Sequence, residues 1–285
     1  MQKKKFRFSN STVDFFPGAN ISHLKKIVDQ KNTVLLTDEN VFAQHEKRFR
    51  GWKTIVIKAG EEYKNQGTAD RVIEQLINHQ ADRKTSLVGI GGGVVTDLTG
   101  YVASVYMRGI AFGFVPTSLL AMVDAYIGGK NGIYVCVYKN MVGIIRQPQF
   151  ILHDLNFLQT LPDKEWRNGF AEIIKHASIK DVVMFRELEN KDLGFYQKRK
   201  KEISLLIQRN ALLKTRVVQG DEFEQGDRKL LNFGHTLGHA LETQYSLSHG
   251  EAISIGMNYA ARLSRKFLGF KEEQRLSELL QKYNL

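Results

Sequence analysis

Leu87-Val88-Gly89-Ile90-Gly91-Gly92-Gly93-Val94-Val95-Thr96-Asp97-Leu98 reads as a buried strand, a three-glycine turn and the start of a helix. That order suits a phosphate. Glycine permits the sharp turn and the close approach of a pyrophosphate, and the helix start offers N–H groups and partial positive charge. The glycines do not follow the GxGxxG spacing, so the standard dinucleotide fingerprint is absent and a purely structural turn is the competing reading. The strand before and the helix after favour a ligand.

Outward from this turn, residues 33–37 (TVLLT), 54–58 (TIVIK), 86–90 (SLVGI) and 112–115 (FGFV) read as further buried strands, with a short one at 151–153. Between them, Val72, Ile73, Leu76 and Ile77 form a helical stripe. Alternation of this kind predicts a parallel sheet with helices on its faces. After Asn156 the texture changes: 166–179, 202–218, 232–242 and 251–267 fit helices, and Asp163 is expected to cap the first. The expected organisation is α/β over residues 1–155 followed by all-α over 156–285, with a cleft between them as a natural ligand site.

Composition narrows the function classes. Hydrophobic residues at 42% and charged residues at 25% fit a globular protein, and no apolar run is long enough to span a membrane. The basic N-terminus lacks the apolar core of a signal peptide, and a single cysteine, Cys136, suits a reducing compartment, so a cytoplasmic location is expected. The net charge of +11 admits nucleic acid, an acidic membrane or a phosphorylated ligand. No zinc-finger spacing, aromatic RNA-binding motif or arginine-rich tail supports nucleic acid. The basic clusters at 3–5 and 198–201 read as solvated surface.

Several residue groups carry chemistry. Asp38 and Asn40 follow a predicted strand; Asp38 either bonds a ribose or caps the next helix, and spacing alone favours the cap. Glu61 and Lys64 follow another strand, in a turn or a nucleotide site. Arg108, Asp124, Lys130, Lys139 and Asn140 lie in a stretch rich in glycine, lysine and asparagine that suits an anion. His235 and His239 are four apart and share a helix face, as zinc ligands do, although most such pairs merely pack or face solvent. Glu172 sits in an apolar helical stretch, beside Lys175 and His176. It pairs with one of these or joins two histidines around a cation, leaving open positions for catalysis.

In order along the chain, GGGVVTDLTGYVASVYMRG, VPTSLLAMVDA, GGKNG, KNMVG, GFAEIIKH, LLNFGHTLGHALE and HGEAISIGM resemble the 3-dehydroquinate synthase family, from about Asp38 to Met257. The resemblance implies a Rossmann-like NAD domain, a helical domain holding zinc or cobalt, and a homodimer acting on a phosphorylated sugar acid, with neither nucleic acid nor membrane as partner. It implies metal ligands at Glu172, His235 and His249, which moves His239 from the metal to the substrate phosphate. The nucleotide would contact Asp38, Asn40, Glu61, Lys64, Gly92, Gly93, Val94, Asp97, Thr117 and Ser118. Lys130, Lys175, Lys214, Asn232 and His239 would serve catalysis, and Asp124, Lys139, Asn140 and Arg228 the substrate. Arg108 would reach the phosphate held by a neighbouring subunit.

The implied reaction closes 3-deoxy-D-arabino-heptulosonate 7-phosphate into a carbocycle. It proceeds by transient oxidation, phosphate elimination with the substrate phosphate as base, re-reduction and aldol closure. Three positions depart from the pattern: Thr96 and Tyr138 replace glycine, and Tyr134 replaces aspartate or asparagine. The chain stops at Leu285, before a lysine that the pattern places near the phosphate, so either a naturally shortened helical part or a truncated chain is expected. The rival readings are a cyclase for another sugar phosphate, a metal-dependent alcohol or glycerol dehydrogenase, and an inactive NAD-binding module.

Overall fold

The β-branched runs of the first half pair into one sheet. The computed structural model describes residues 1–136 and 138–285, divided into two units, Met1–Thr160 and Leu161–Leu285. The first unit contains β1 (Lys4–Arg7), β2 (Thr12–Phe16), β3 (Thr33–Asp38), α1 (Glu39–His45), β4 (Lys53–Ile57), α2 (Gln66–Asn78), β5 (Ser86–Gly91), α3 (Gly93–Val105), β6 (Ala111–Pro116), β7 (Lys130–Val135), β8 (Tyr138–Ile145) and β9 (Phe150–Leu152). Seven strands form a sheet in the order β1-β2-β9-β6-β5-β3-β4, parallel throughout except where β1 meets β2. β3, β5 and β6 are buried along almost their whole length, which is why their sequences are continuous apolar runs.

Two of the glycines in this sheet exist for packing. A Cβ at Gly89 would lie 2.4 Å from Thr99 Oγ1, and one at Gly91 would lie 2.5 Å from the Val95 side chain. α3 therefore rests directly on β5. The same tightness recurs at Gly100, where a Cβ would lie 1.8 Å from Asn131 Oδ1. Asn131 is buried and donates to Gly129 O at 2.7 Å and Arg146 O at 2.9 Å, which pins the β7–β8 hairpin to α3.

The strands β1, β2, β7 and β8 lie outside the sequence expectation. β7 and β8 form a separate two-stranded sheet whose second strand is almost wholly exposed, so no inward-outward alternation marks it. β1 carries Lys4 and Lys5 from the basic cluster, with a single apolar side chain, Phe6, stacked on Phe15 at 5.4 Å.

Below the sheet's end, Asp154 is a buried hub that accepts from Ile21 N, Arg48 Nη1 and Asn156 N, each at 3.0 Å. Its neighbour His153 is 1% exposed, edge-on to Phe15 and Tyr126, and its Nε2 has no hydrogen-bond partner among the described residues. Burial pushes its pKa down to about 3, from an ordinary 6.5. As the pH falls below 6.5, the unfolded chain takes up a proton that the folded chain refuses until about 3. This histidine's contribution is therefore fully present above pH 6.5 and is lost on acidification, by up to about 1.4 kcal/mol per pH unit. His153→Leu is expected to flatten the fall of Tm across that window. Parallel Tm–pH curves for the two proteins would refute the assignment.

The second unit is helical: α4 (Asp163–Lys180), α5 (Val182–Glu189), α6 (Leu193–Lys198), α7 (Lys200–Gly220), α8 (His235–Gln244), α9 (His249–Leu268) and α10 (Glu273–Lys282). Two sequence expectations are corrected here. Asp163 is the first helical residue, Pro162 occupies the cap position, and no side chain caps the helix. α8 begins at His235, because Gly234 adopts φ +81° and breaks it from a 3-10 turn over Asp227–Asn232, which carries Asn232. α5, α6 and α10 are further helices.

Candidate active site

In the first unit, the candidate nucleotide site begins where β3 and β5 end. β4 lies on one side of β3, and the chain crosses back so that β5 pairs on the other. That reversal opens a crevice at the strands' C-terminal ends, where open α/β sheets bind ligands. Thr37 pairs with Ile90 in the register, so Asp38 and the Gly91–Gly93 turn are neighbours.

Gly92 and Gly93 differ from Gly89 and Gly91. A Cβ on them would meet only Ser118 Oγ at 3.5 Å and Ala125 Cβ at 3.6 Å, which are ordinary contacts. Packing does not require glycine at these two positions. Bare backbone at the head of a 13-residue helix that has no side-chain cap fits a pyrophosphate. Val94 is in the first turn. Thr117 and Ser118 are buried beside it, with Thr117 N donating to Gly91 O at 3.0 Å. Thr96 is accommodated because its hydroxyl donates to Gly93 O at 3.0 Å.

Asp38 caps α1, accepting from Val41 N at 2.9 Å through Oδ1, while Asn40 is exposed on that helix. Burial holds the Asp38 carboxyl above its usual range, against the opposing hydrogen bonds of the cap.

Glu61, Lys64, Asp97, Lys139 and Asn140 come together. Lys64 is buried, ion-paired with Asp97, and donates to Asn140 Oδ1 at 2.9 Å. Tyr134 donates to Glu61 Oε2 at 2.7 Å and has Lys64 Nζ and Lys139 Nζ at 5.0 and 5.5 Å from its ring centroid. Tyr138 and Cys136 are exposed, with Cys136 in the turn of the hairpin. Lys130 is exposed at the start of β7. Asp124 lies in a π-helical turn, Ala121–Ala125, a local widening found often at functional sites. Arg108 is exposed in a run of left-handed residues, with φ +49° at Met107, +65° at Arg108 and +119° at Gly109. Backbone held in that region costs energy that functional sites commonly carry.

In the second unit, α4 buries Glu172, Lys175 and His176 on one apolar stretch. Glu172 and Lys175 form an ion pair one turn apart, and His176 Nδ1 bonds Asn210 Oδ1 at 3.1 Å. Glu172 Oε1 also lies 3.5 Å from His235 Nε2 and 3.2 Å from His249 Nε2. Ligand atoms of these three residues all fall within 4.8 Å of one another.

The donor set fits a divalent metal. Both imidazoles turn the same nitrogen, Nε2, toward the carboxylate. His235 Nδ1 is backed by Phe233 O at 3.2 Å, and His249 Nδ1 faces Glu242 Oε2 at 3.7 Å. Such backing sets the tautomer and orients the ring for coordination. Burial lowers the His249 imidazolium, but Glu172 and Glu242 outweigh it and lift its pKa to about 9. The carboxylates favour a cation there. One oxygen and two nitrogen donors leave positions open for a substrate.

His239 is exposed on α8, its ring 5.1 Å from that of His235. The triplet at Glu172 therefore takes its second histidine from α9. Lys214 and Arg228 are buried, and Arg228 donates to Glu222 O. Asn232 donates to Glu224 Oε1 at 2.8 Å.

Three residues that support the candidate site escaped the sequence reading. Glu242 backs His249; its only sequence signal is its place seven residues after His235, on the same helix face. Asn168 accepts from Gly250 N at 2.9 Å and anchors the head of α9, which carries His249. Asp221 accepts from Gln225, Gly226 and Arg228 N–H groups at 2.9, 2.7 and 3.0 Å, shaping the loop that holds Arg228.

Comparison with known proteins is consistent across both units. The model of the 3-dehydroquinate synthase N-terminal region matches residues 54–168, and that of the C-terminal region matches 169–285. A 3-dehydroquinate synthase of Campylobacter curvus is 40% identical over 276 residues, covering 93% of this chain and 79% of that protein. Among solved structures, 2-deoxy-scyllo-inosose synthase complexed with carbaglucose-6-phosphate, NAD+ and Co2+ aligns with a TM-score of 0.86 at 25% identity, covering 99% of this chain and 82% of that one. The 2-epi-5-epi-valiolone synthase of Streptomyces hygroscopicus with NAD+ and Zn2+ bound gives 0.85 at 25%, covering 100% and 84%.

Proposed function

Because the chain belongs to the 3-dehydroquinate synthase family, we propose that it converts 3-deoxy-D-arabino-heptulosonate 7-phosphate to 3-dehydroquinate and phosphate, using NAD and zinc or cobalt. The observation that carries this reading is the convergence of Glu172, His235 and His249, with both imidazoles backed at Nδ1.

When bound, the metal would acidify a coordinated substrate hydroxyl, and NAD would take and return the hydride of that carbon. The chain's own residues do the rest. Gly92, Gly93 and the head of α3 bind the pyrophosphate, with Val94, Thr117 and Ser118 beside them, and Asp38, Asn40, Glu61 and Asp97 complete the nucleotide contacts. Lys64 neutralises Asp97 and fixes Asn140. Lys130, Lys139, Asn140 and His239 hold the substrate phosphate, and Arg108 serves the site of a second copy. Lys175 offsets the charge of Glu172. Asp124 and Asn232 orient hydroxyls. Lys214 and Arg228, both buried cations, select a carboxylate, which favours this substrate over a sugar phosphate without a carboxylate.

A homodimer is part of the proposal, and β8 fits it. Met141, Val142, Ile144 and Ile145 are exposed on a strand that pairs, among the described residues, with β7 alone. No described helix is long and apolar enough to cross a membrane. A cytoplasmic setting is proposed.

The test is phosphate release from the heptulosonate phosphate with catalytic NAD and added zinc or cobalt. Phosphate in large excess over NAD, without net NADH and abolished by a chelator, is the expected result. Accumulating NADH would instead mark a dehydrogenase. Release only from a sugar phosphate without a carboxylate would mark a cyclase of different specificity.

A further inference from the structure

Tyr134 has no assigned role, yet it touches residues on both sides of the candidate nucleotide site. It sits on β7, and its N–H donates to Lys64 O at 2.7 Å, forming a one-residue bridge to Asn65 outside the named strands. Its hydroxyl donates to Glu61 Oε2 at 2.7 Å. Lys64 and Lys139 lie 5.0 and 5.5 Å from the centroid of its ring. The tyrosine's backbone meets Lys64, its hydroxyl meets Glu61, and its ring faces both lysines.

We propose that Tyr134 is a positioning residue with two separable parts: its hydroxyl aims Glu61 at the nucleotide, and its ring holds Lys139 for the substrate phosphate. The proposal rests on the roles given above to Glu61 and Lys139.

Glu61 is an exposed side chain on a short 3-10 turn, and its carboxylate has many rotamers of similar energy. A phenol on a residue whose main chain is tied to Lys64 restricts that freedom and leaves the second carboxylate oxygen for a ribose hydroxyl. The two ammonium groups repel each other, and the negative face of one ring attracts both. Asp97 is paired with Lys64, so the ring's part is to place the Lys139 ammonium where a phosphate is expected to sit. Asparagine at this position would offer an N–H donor without the ring, and aspartate would offer neither donor nor ring.

Two substitutions separate the parts. Tyr134→Phe removes the hydroxyl and keeps the ring; Tyr134→Leu removes both. The constants to read on the zinc-loaded full chain are the Kd for NAD and the KM for the heptulosonate phosphate. Thermal unfolding controls for folding. Tyr134→Phe is expected to raise the NAD Kd by about three- to tenfold, the net worth of one ordinary exposed hydrogen bond, and to leave KM within about twofold. Tyr134→Leu is expected to raise both.

Equal effects of the two variants on both constants would overturn the division of roles. An unchanged NAD Kd in Tyr134→Phe, alongside a raised one in Glu61→Ala, would overturn the role of the hydroxyl. If Glu61→Ala does not weaken NAD, or Lys139→Ala does not raise KM, the underlying assignment fails and this proposal fails with it. A chain that binds NAD but does not turn over would refute the functional reading, and its NAD Kd would still decide the role of the hydroxyl.

Discussion

Glutamine in place of Glu172 is expected to remove the tight metal site and to lower phosphate-releasing turnover by about a thousandfold, roughly 4 kcal/mol of lost charge stabilisation. The side chain is fully buried on α4, pairs with Lys175 and presents Oε1 to both His235 and His249. Glutamine keeps the shape and loses the charge. The Lys175 ammonium, itself 1% exposed, then loses its carboxylate, and breaking such a buried pair typically costs about 3–5 kcal/mol. Tm should therefore fall together with metal affinity. Lys175→Met in the same background is expected to recover stability without recovering the metal, which separates the two effects. Competition against a chromogenic chelator reads the affinity. In that titration, Glu242→Gln is expected to bind metal about 10–100-fold more weakly, since it removes the charge behind His249 Nδ1. Full-strength metal binding by Glu172→Gln would remove the basis for the site.

Alanine at Gly256 is expected to cost about 3 kcal/mol or more, because no side-chain motion can make room for it. A Cβ there would lie 1.9 Å from the carbonyl oxygen of Gly234, and the next nearest atoms are also Gly234 backbone. The residue that leads into α8 lies directly against α9 here. Gly234 is itself committed to φ +81°, and His235 follows it directly. Relief of the clash has to shift the head of α8, which carries one metal ligand away from the other two. Both Tm and metal affinity should fall. Gly220→Ala is the control: it lies at the end of α7 with nothing within 4 Å of the added Cβ, and it is expected to be neutral or slightly stabilising. Equal unfolding midpoints for the two variants would contradict the packing argument.

The parallel sheet was legible because β3, β5 and β6 are buried on both faces and so must be written as unbroken apolar runs. The helix α2 was legible because burying one side imposes a 3.6-residue stripe, seen at Val72 and Leu76. The glycine turn was visible as a turn, yet sequence could not divide its glycines. Gly91 is bare because Val95 packs against it, whereas Gly92 and Gly93 are bare with room beside them. The hairpin β7–β8 escaped because a strand exposed on both faces carries no alternation to read.

The metal-competent triplet shows the same limit. Helical spacing could place His235 and His239 on one face, since neighbours along a helix are set by local geometry. It could not bring His249 to Glu172, which lies 77 residues away and meets it at 3.2 Å. Nor could it show that Glu242 stands behind that histidine. By itself the sequence determined the buried parallel strands and the striped helix, because burial and backbone preference act over a few neighbouring residues. The convergence of donors from α4, α8 and α9 was decided by tertiary packing, including the close approach of Gly234 to Gly256 and the bond from Gly250 to Asn168, which a linear pattern does not encode.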